Sequence, residues 1–135
     1  MNFIKEYNNK KQGQRSIPTL LPYLSCTKTG VFYINKAAVR LIGLRAGDLI
    51  TVAQSSEDLD SFYIYLSEDG MRLRQSESNL LFTCKSLFLD MNNHFKLNGL
   101  SFRMQVFDRP IQDRFYLLLN NDIKELQLSI LIKQK

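Results

Sequence analysis

The fold is decided by the stretch Gly30-Val-Phe-Tyr-Ile-Asn-Lys36-Ala-Ala-Val-Arg40-Leu-Ile-Gly43-Leu44-Arg-Ala-Gly47-Asp48-Leu-Ile-Thr-Val52. Its β-branched and aromatic residues at 31–34 predict a strand. Asn35 is a good N-cap for a short helix over 36–42, and Gly43 stands where a helix end favours a left-handed residue. After a turn at 45–48 the chain enters a second strand. A strand, a helix, a glycine turn and a strand therefore fit into 23 residues.

Short strands are also predicted on both sides of this stretch. The two prolines of residues 16–22 predict an edge or entry segment. Residues 55–60 form an acidic hairpin loop. The second half then repeats the order of the first, and its expected elements are strands over 71–74, 80–83, 101–107 and 114–119 and a helix over 85–95. This repetition has two explanations: the chain contains two units of the same structure, or it contains two hairpins that merely share turn residues.

The C-terminal segment has a period-two pattern. Leu126, Leu128, Ile130 and Ile132 alternate with other residues, which predicts a final strand with one buried face. A helix over 123–131 is the alternative.

The central stretch resembles the core of the AbrB/MazE/SpoVT family, whose small swapped-hairpin barrels bind DNA. The family pattern is a Gly turn, an apolar strand, a short helix with an Arg, and a Gly-Asp pair that opens the next strand. The residues that fit this pattern without a gap are Gly30, Ile34, Lys36, Arg40, Gly43, Leu44, Gly47 and Asp48. Two positions differ from the family pattern: Val31 stands where the family usually has Arg, and Asn35 stands where it usually has Pro.

The resemblance implies a mainly β fold with short helices, arranged as a swapped-hairpin barrel. Many family members are short chains that dimerise, each giving half a barrel. With two similar units, this chain predicts a single-chain pseudo-dimer of two β-α-β-β units, and a homodimer of half-barrels is the alternative. The expected organisation is a flexible basic arm at 1–15, a first unit at 16–70 and a diverged second unit at 71–135 that shares the same core.

The resemblance also implies a DNA-binding protein, either a transcriptional regulator or an antitoxin-like protein, which acts by occupying double-stranded DNA. Lys36 and Arg40 lie one helical turn apart on the hinge helix. Lys28, before the Gly30 turn, can supply the cation that Val31 lacks. Comparable places in the second unit add three more cations. The predicted DNA-binding residues are Lys28, Lys36, Arg40, Arg72, Arg74 and Lys85.

The charge distribution suits an anionic partner. The net charge is +5, and residues 1–55 hold eight basic and two acidic side chains, whereas residues 56–70 hold five acidic side chains and no basic one. A basic N-terminal portion, including Lys10, Lys11 and Arg15, is typical of nucleic-acid binding. A charged surface that keeps the protein soluble is the plain alternative.

Several function classes lack their signatures. No phosphate-binding Gly loop, nucleophile elbow or His-rich cluster occurs, so neither an enzyme nor a cofactor or metal site is predicted. Cys26 and Cys84 are expected to be free thiols, and with no secretory signal at the N-terminus the expected location is the cytoplasm. Asp48 is expected to accept turn N–H bonds, and His94 to cap a helix or lie on the surface.

Three other interpretations stay open. A protein-interaction module would keep the fold and bind a protein through the acidic loop or exposed strand edges. A small-ligand barrel would need a lined cavity. Aromatic side chains could instead form a stacking platform for bases, and the candidates are Phe32, Tyr33, Phe62, Tyr63, Tyr65, Phe115 and Tyr116.

Overall fold

The computed structural model describes residues 21–133, so the predicted arm at 1–15 lies outside the described residues. The helices are α1 (Lys36–Ile42), α2 (Lys85–Phe95) and α3 (Asn121–Lys133). The strands are β1 (Tyr23–Cys26), β2 (Val31–Ile34), β3 (Leu49–Gln54), β4 (Phe62–Leu66), β5 (Met71–Arg72), β6 (Arg74–Ser76), β7 (Asn79–Thr83), β8 (Phe102–Val106) and β9 (Tyr116–Leu119). The helices predicted over 36–42 and 85–95 are confirmed.

The nine strands form one antiparallel sheet in the order β5-β3-β4-β9-β8-β1-β2-β7-β6. Its first and last strands are neighbours in the chain and are separated only by Leu73. The Leu73 N–H donates to the Asp48 carbonyl, and the Leu73 carbonyl accepts from the Gly47 N–H, each over 2.8 Å. The single strand predicted over 71–74 is therefore two short strands, β5 paired with β3 and β6 paired with β7. Because these two strands are almost continuous, the sheet curls into a nearly closed antiparallel barrel.

Strand pairing is the same in both halves of the chain. The pairs β1–β2 and β3–β4 recur as β6–β7 and β8–β9, and the β1–β8 pair has its counterpart in β5–β3. The two remaining pairs, β2–β7 and β4–β9, join the halves on opposite sides of the barrel, with Phe32 opposite Phe82 and Tyr63 opposite Leu117. The boundary between units at residue 70 stays a prediction.

Both halves contribute to one core. The rings of Phe32 and Phe82 stack with centroids 4.9 Å apart and planes 2° from parallel. Helix α1 adds the buried Ala38, and Leu44 is buried after the Gly43 turn. Helix α2 adds Phe88, Met91 and Phe95. Since buried side chains fill the barrel, its interior is a packed core.

The prediction of a final strand over 126–132 is wrong, because this segment lies in α3. Its apolar residues satisfy two periods at once. Ile123 is fully buried, and Leu126 and Ile130 pack on the core, which is the i, i+3, i+7 spacing of a helical face. Leu128 and Ile132, the other members of the alternating pattern, point to solvent. Asp122 in the first turn and Lys133 in the last turn suit the helix dipole.

Asn35 ties three segments together at the start of α1. Its Oδ1 accepts from the N–H groups of Ala38 and Tyr23, each over 3.0 Å, and its Nδ2 donates to the Leu21 carbonyl over 2.7 Å. The predicted N-cap is confirmed, and the left-handed Gly43, at φ +80°, ends the helix as predicted.

Replacing Asn35 with alanine is expected to lower the free energy of unfolding by about 2 kcal/mol, from a lost cap of about 1 kcal/mol and two further hydrogen bonds. Urea unfolding monitored by circular dichroism measures the loss. Asn35→Asp keeps the acceptor and loses only the Nδ2 donor, so we expect about a quarter of that loss. Equal losses in the two variants would contradict the capping role.

Among residues 21–133, no helix is both long and apolar enough to cross a membrane.

Candidate nucleic-acid interface

All six predicted DNA-binding residues are exposed; five of them form two groups, and Arg72 lies apart from both. Lys28, Arg74 and Lys85 lie around one end of the β2–β7 ladder, and we call these three residues the turn cluster. Arg72 lies on β5, which pairs with β3, and its guanidinium donates to the Gly47 carbonyl over 3.2 Å. Lys36 and Arg40 lie on α1, which follows the opposite end of β2.

The turn cluster is assembled by close backbone packing. Gly30 has φ +82°, and a Cβ added there would lie 2.9 Å from the Lys85 Cα. The Cys84 N–H donates to the Gly30 carbonyl over 2.9 Å, so the start of α2 is fixed on the β1–β2 turn that carries Lys28. Residue 30 must be small and left-handed for these two elements to meet. A glycine therefore brings cations from the two halves of the chain together.

Arg74 completes the cluster from a third element. Its guanidinium donates to the Thr83 hydroxyl over 2.7 Å, and Thr83 pairs with Val31 across the β2–β7 ladder. A cation thus lies one strand away from Val31, the position at which the AbrB/MazE/SpoVT pattern usually has Arg. The sequence suggested Lys28 for this role, and the Arg74–Thr83 contact was missed because it depends on strand pairing.

The outer surface between the two groups is formed by β2 and β7, and we call it the β2–β7 face. Tyr33 lies half-buried at its centre, paired with Ser25 on one side and Leu81 on the other. The ladder has four residue pairs, so it is about 10 Å long, with the turn cluster beyond one end and α1 beyond the other. The face therefore carries cations at both ends and an aromatic ring between them.

The charges on this face have no acidic partner among the described residues. The two ion pairs recorded within residues 21–133 are His94–Asp60 and Arg103–Asp122, and neither involves a predicted DNA-binding residue. Arg72 and Arg74 donate to a neutral carbonyl and a neutral hydroxyl. Within this part of the chain, their positive charges remain available to an anion.

The acidic hairpin loop lies far around the barrel, since it joins β3 to β4 while β4–β9 is opposite β2–β7. Two of its carboxylates are already engaged: Asp58 accepts from the Asp60 N–H and the Ser61 hydroxyl, and Asp60 contacts His94 Nε2 over 2.7 Å. His94 was expected only to cap a helix or lie on the surface. Instead it links the end of α2 to a loop 34 residues away in sequence.

The seven aromatic residues predicted to form a stacking platform do not share one surface, because some lie inside the barrel and others on its outside. Phe32 and Phe62 are buried in the core. Tyr63 and Tyr65 point outward on β4, opposite the cations, where Tyr65 meets Phe115 edge-on with centroids 4.7 Å apart. Of the seven candidates, only Tyr33 lies on the outside of the β2–β7 face.

Both cysteines are free thiols, as predicted. Cys26 is buried, and burial, with a smaller contribution from Cys84, raises the pKa of its thiol to about 12. Above about pH 9, the ordinary pKa of a thiol, Cys26 ionises in the unfolded chain but stays protonated in the folded one, so the free energy of unfolding falls. Asp48 accepts from the Arg45 N–H over 2.8 Å, which is the turn role predicted for it. Among residues 21–133, no three His, Cys, Asp or Glu side chains are placed to hold a metal ion.

Comparisons with protein-family models, with curated proteins and with solved structures find no match to this chain. The likeness to the AbrB/MazE/SpoVT family therefore rests on the residues of the Gly30–Val52 stretch.

Proposed function

We propose that the chain is an AbrB-like, single-chain pseudo-dimer that binds double-stranded DNA through the β2–β7 face and regulates by occupancy. The observation that carries the proposal is the turn cluster, in which three adjoining elements each carry an exposed cation that has no acidic partner among the described residues. Lysine and arginine gain affinity for DNA by neutralising phosphates and releasing counterions.

The size of the β2–β7 face supports this proposal. The turn cluster and α1 flank a ladder about 10 Å long, which is close to the 12 Å width of the major groove of B-DNA. Cations at both ends can contact phosphates on the two sides of a groove, while Tyr33 meets the groove between them. The repeated strand pairing supports a pseudo-two-fold arrangement, because Phe32 and Phe82 face each other at the centre of the same ladder.

The net charge adds a second requirement. Residues 21–133 contain 13 of the 18 basic residues and 12 of the 13 acidic ones, so most of the excess charge lies outside this part of the chain. DNA binding by the barrel must therefore depend on local clustering of cations, and substitution of a few of them should have a large effect.

The test is fluorescence anisotropy with a labelled random-sequence 20-bp duplex at about 50 mM salt. We expect the triple variant Lys28→Ala/Arg74→Ala/Lys85→Ala to weaken binding at least ~10-fold and to reduce the salt slope by about 2–3, since each lost phosphate contact removes about 0.9. The matched control, Lys96→Ala/Arg109→Ala/Lys124→Ala, removes the same charge from other surfaces. Equal weakening in both variants would contradict a site on the β2–β7 face.

A protein-interaction module is the second candidate, and one groove favours it. The groove, of about 370 Å³, lies on the β4–β9 side, where its lining includes Tyr63, Tyr65, Phe115 and the half-exposed Ile111, with Glu57 at its rim. Aromatic side chains are enriched at protein interfaces, and Glu57 favours a basic segment. The exposed strand edges that were expected to bind a protein are few, because most strands pair on both sides in the nearly closed barrel. Binding of Lys/Arg-rich peptides that Tyr63→Ser abolishes would favour this function.

A further inference from the structure

The turn that joins α2 to β8 has an unusual backbone. Lys96, Asn98 and Gly99 have positive φ, at +58°, +57° and +77°. The left-handed region is open to glycine and, among other residues, is tolerated well by asparagine. Leu97 is fully buried, whereas Asn98 and Gly99 are exposed. Leu97 therefore anchors the turn in the core, and the Asn98-Gly99 peptide lies at the surface.

Asn98-Gly99 is also the one Asn-Gly pair in the sequence. In such a pair the glycine nitrogen can attack the asparagine side chain, because glycine has no Cβ to obstruct the approach. A bond forms between Gly99 N and Asn98 Cγ, the Cγ–Nδ2 bond breaks, and the side-chain nitrogen leaves as ammonia with the proton of the Gly99 N–H. Water then opens the resulting succinimide at either of its two carbonyls, which gives aspartate or isoaspartate.

The fold engages the attacking nitrogen. The Gly99 N–H donates to Asn92 Oδ1 over 2.7 Å. Asn92 is only 5% exposed, and its Nδ2 donates to the Phe88 carbonyl over 3.4 Å and to the Leu100 carbonyl over 3.3 Å. Because both ends of this buried amide have partners, its orientation is fixed, with Oδ1 toward Gly99. Attack on Asn98 therefore requires that Gly99 first give up this hydrogen bond.

Asn92 holds the same turn through its main chain. Its carbonyl accepts from the Lys96 N–H at the end of α2 and from the Leu97 N–H, the latter over 3.0 Å. One residue thus fixes the turn at three points. The Gly99 N–H leaves its acceptor only when the turn opens.

We propose that Asn98 is a deamidation site whose rate is controlled by Asn92. In the closed turn Gly99 N is engaged, and Asn98 keeps its amide. In the open turn the reaction proceeds to aspartate and isoaspartate, with water as its co-reactant. Isoaspartate inserts an extra main-chain carbon before Gly99, so the Gly99 N–H no longer meets Asn92 and the turn cannot close again. This site lies outside the β2–β7 face and does not depend on DNA binding.

Peptide mapping by mass spectrometry measures the fraction of Asn98 that is converted when the full chain is incubated at mildly alkaline pH. We expect conversion in the folded chain to be at least ~10-fold slower than in the chain unfolded in urea, because opening of the turn breaks several hydrogen bonds. The products should include isoaspartate, which arises only through the succinimide.

A variant tests the control by Asn92. Asn92→Ala removes the acceptor of the Gly99 N–H and should speed conversion in the folded chain about 5–10-fold. Asn35→Ala is the matched control, since it removes another asparagine that binds the backbone, at the start of α1. Because that opening is local to a different segment, its rate should stay within about 2-fold of the wild-type rate. Circular dichroism confirms that each variant is folded.

Hydrogen exchange gives a test that needs no variant. In the wild-type chain the Gly99 amide should exchange at least ~10-fold more slowly than in the unfolded chain, and this measurement decides if Asn92→Ala does not fold. The proposal would be overturned by any of five results: no conversion in urea, aspartate as the sole product, equal rates in the folded and unfolded chains, a folded Asn92→Ala variant no faster than Asn35→Ala, or an unprotected Gly99 amide.

Discussion

Replacing Phe82 with alanine is expected to lower the free energy of unfolding by about 3–5 kcal/mol. The ring is 1% exposed and stacks on Phe32, which is fully buried and belongs to the other half of the chain. Removing it leaves a cavity at the ladder that joins the halves, and it removes an aromatic contact as well. For a chain of this length, the melting temperature should fall by roughly 10–20 °C.

The same measurement tests whether the halves fold as one unit. Urea unfolding of Phe82→Ala, followed by circular dichroism and by tyrosine fluorescence, should give coincident single transitions, because both halves share one core. Phe107→Ala is the control, since Phe107 is 38% exposed and should cost far less. Two separate transitions in the wild-type chain, or similar losses in both variants, would contradict a shared core.

Replacing Gly70 with alanine is expected to cost about 3 kcal/mol or more, by overpacking at a backbone contact. A Cβ at residue 70 would lie 2.3 Å from the Ile50 carbonyl oxygen and 2.5 Å from its carbon. Gly70 leads directly into β5, whose Met71 pairs with Ile50. The added methyl group would push β5 away from β3 and open the barrel at the point where the sheet closes.

Gly43→Ala separates this steric effect from backbone strain. Gly43 has φ +80°, but a Cβ there meets nothing within 4 Å, so only the left-handed conformation costs energy, about 1–2 kcal/mol. We therefore expect Gly70→Ala to be the more destabilising variant in urea unfolding, although Gly70, unlike Gly43, does not have a positive φ. The reverse order would show that β5 can shift without cost.

The sequence predicted local structure well where that structure depends on residues that are neighbours in the chain. Asn35 and Gly43 mark the ends of α1, since capping needs only neighbours in the chain. A strand was predicted in place of α3, with a helix as the alternative, because the apolar residues at 126, 128, 130 and 132 alternate as in a strand, while those at 123, 126 and 130 also fit one face of a helix. Only packing on the core decides between the two periods.

The candidate site was harder to predict because it depends on contacts between distant segments. Lys85 reaches the β1–β2 turn because Gly30 lets its backbone approach, and Arg74 reaches Thr83 because β6 pairs with β7. Neither contact leaves a local signal in the sequence. The separation of the turn cluster from the α1 pair and from Arg72 therefore emerges only from the order of strands in the barrel.

The salt dependence of binding to random-sequence duplex DNA tests the central claim most directly. Anisotropy of the wild-type chain, measured from about 25 to 300 mM salt, should give a straight line of log affinity against log salt with a slope of roughly −3.6 to −5.4, set by four to six phosphate contacts. Lys36→Ala/Arg40→Ala should make the slope shallower by about 2. Absence of binding at the lowest salt concentration, or an affinity that does not change with salt, would contradict a DNA-binding β2–β7 face.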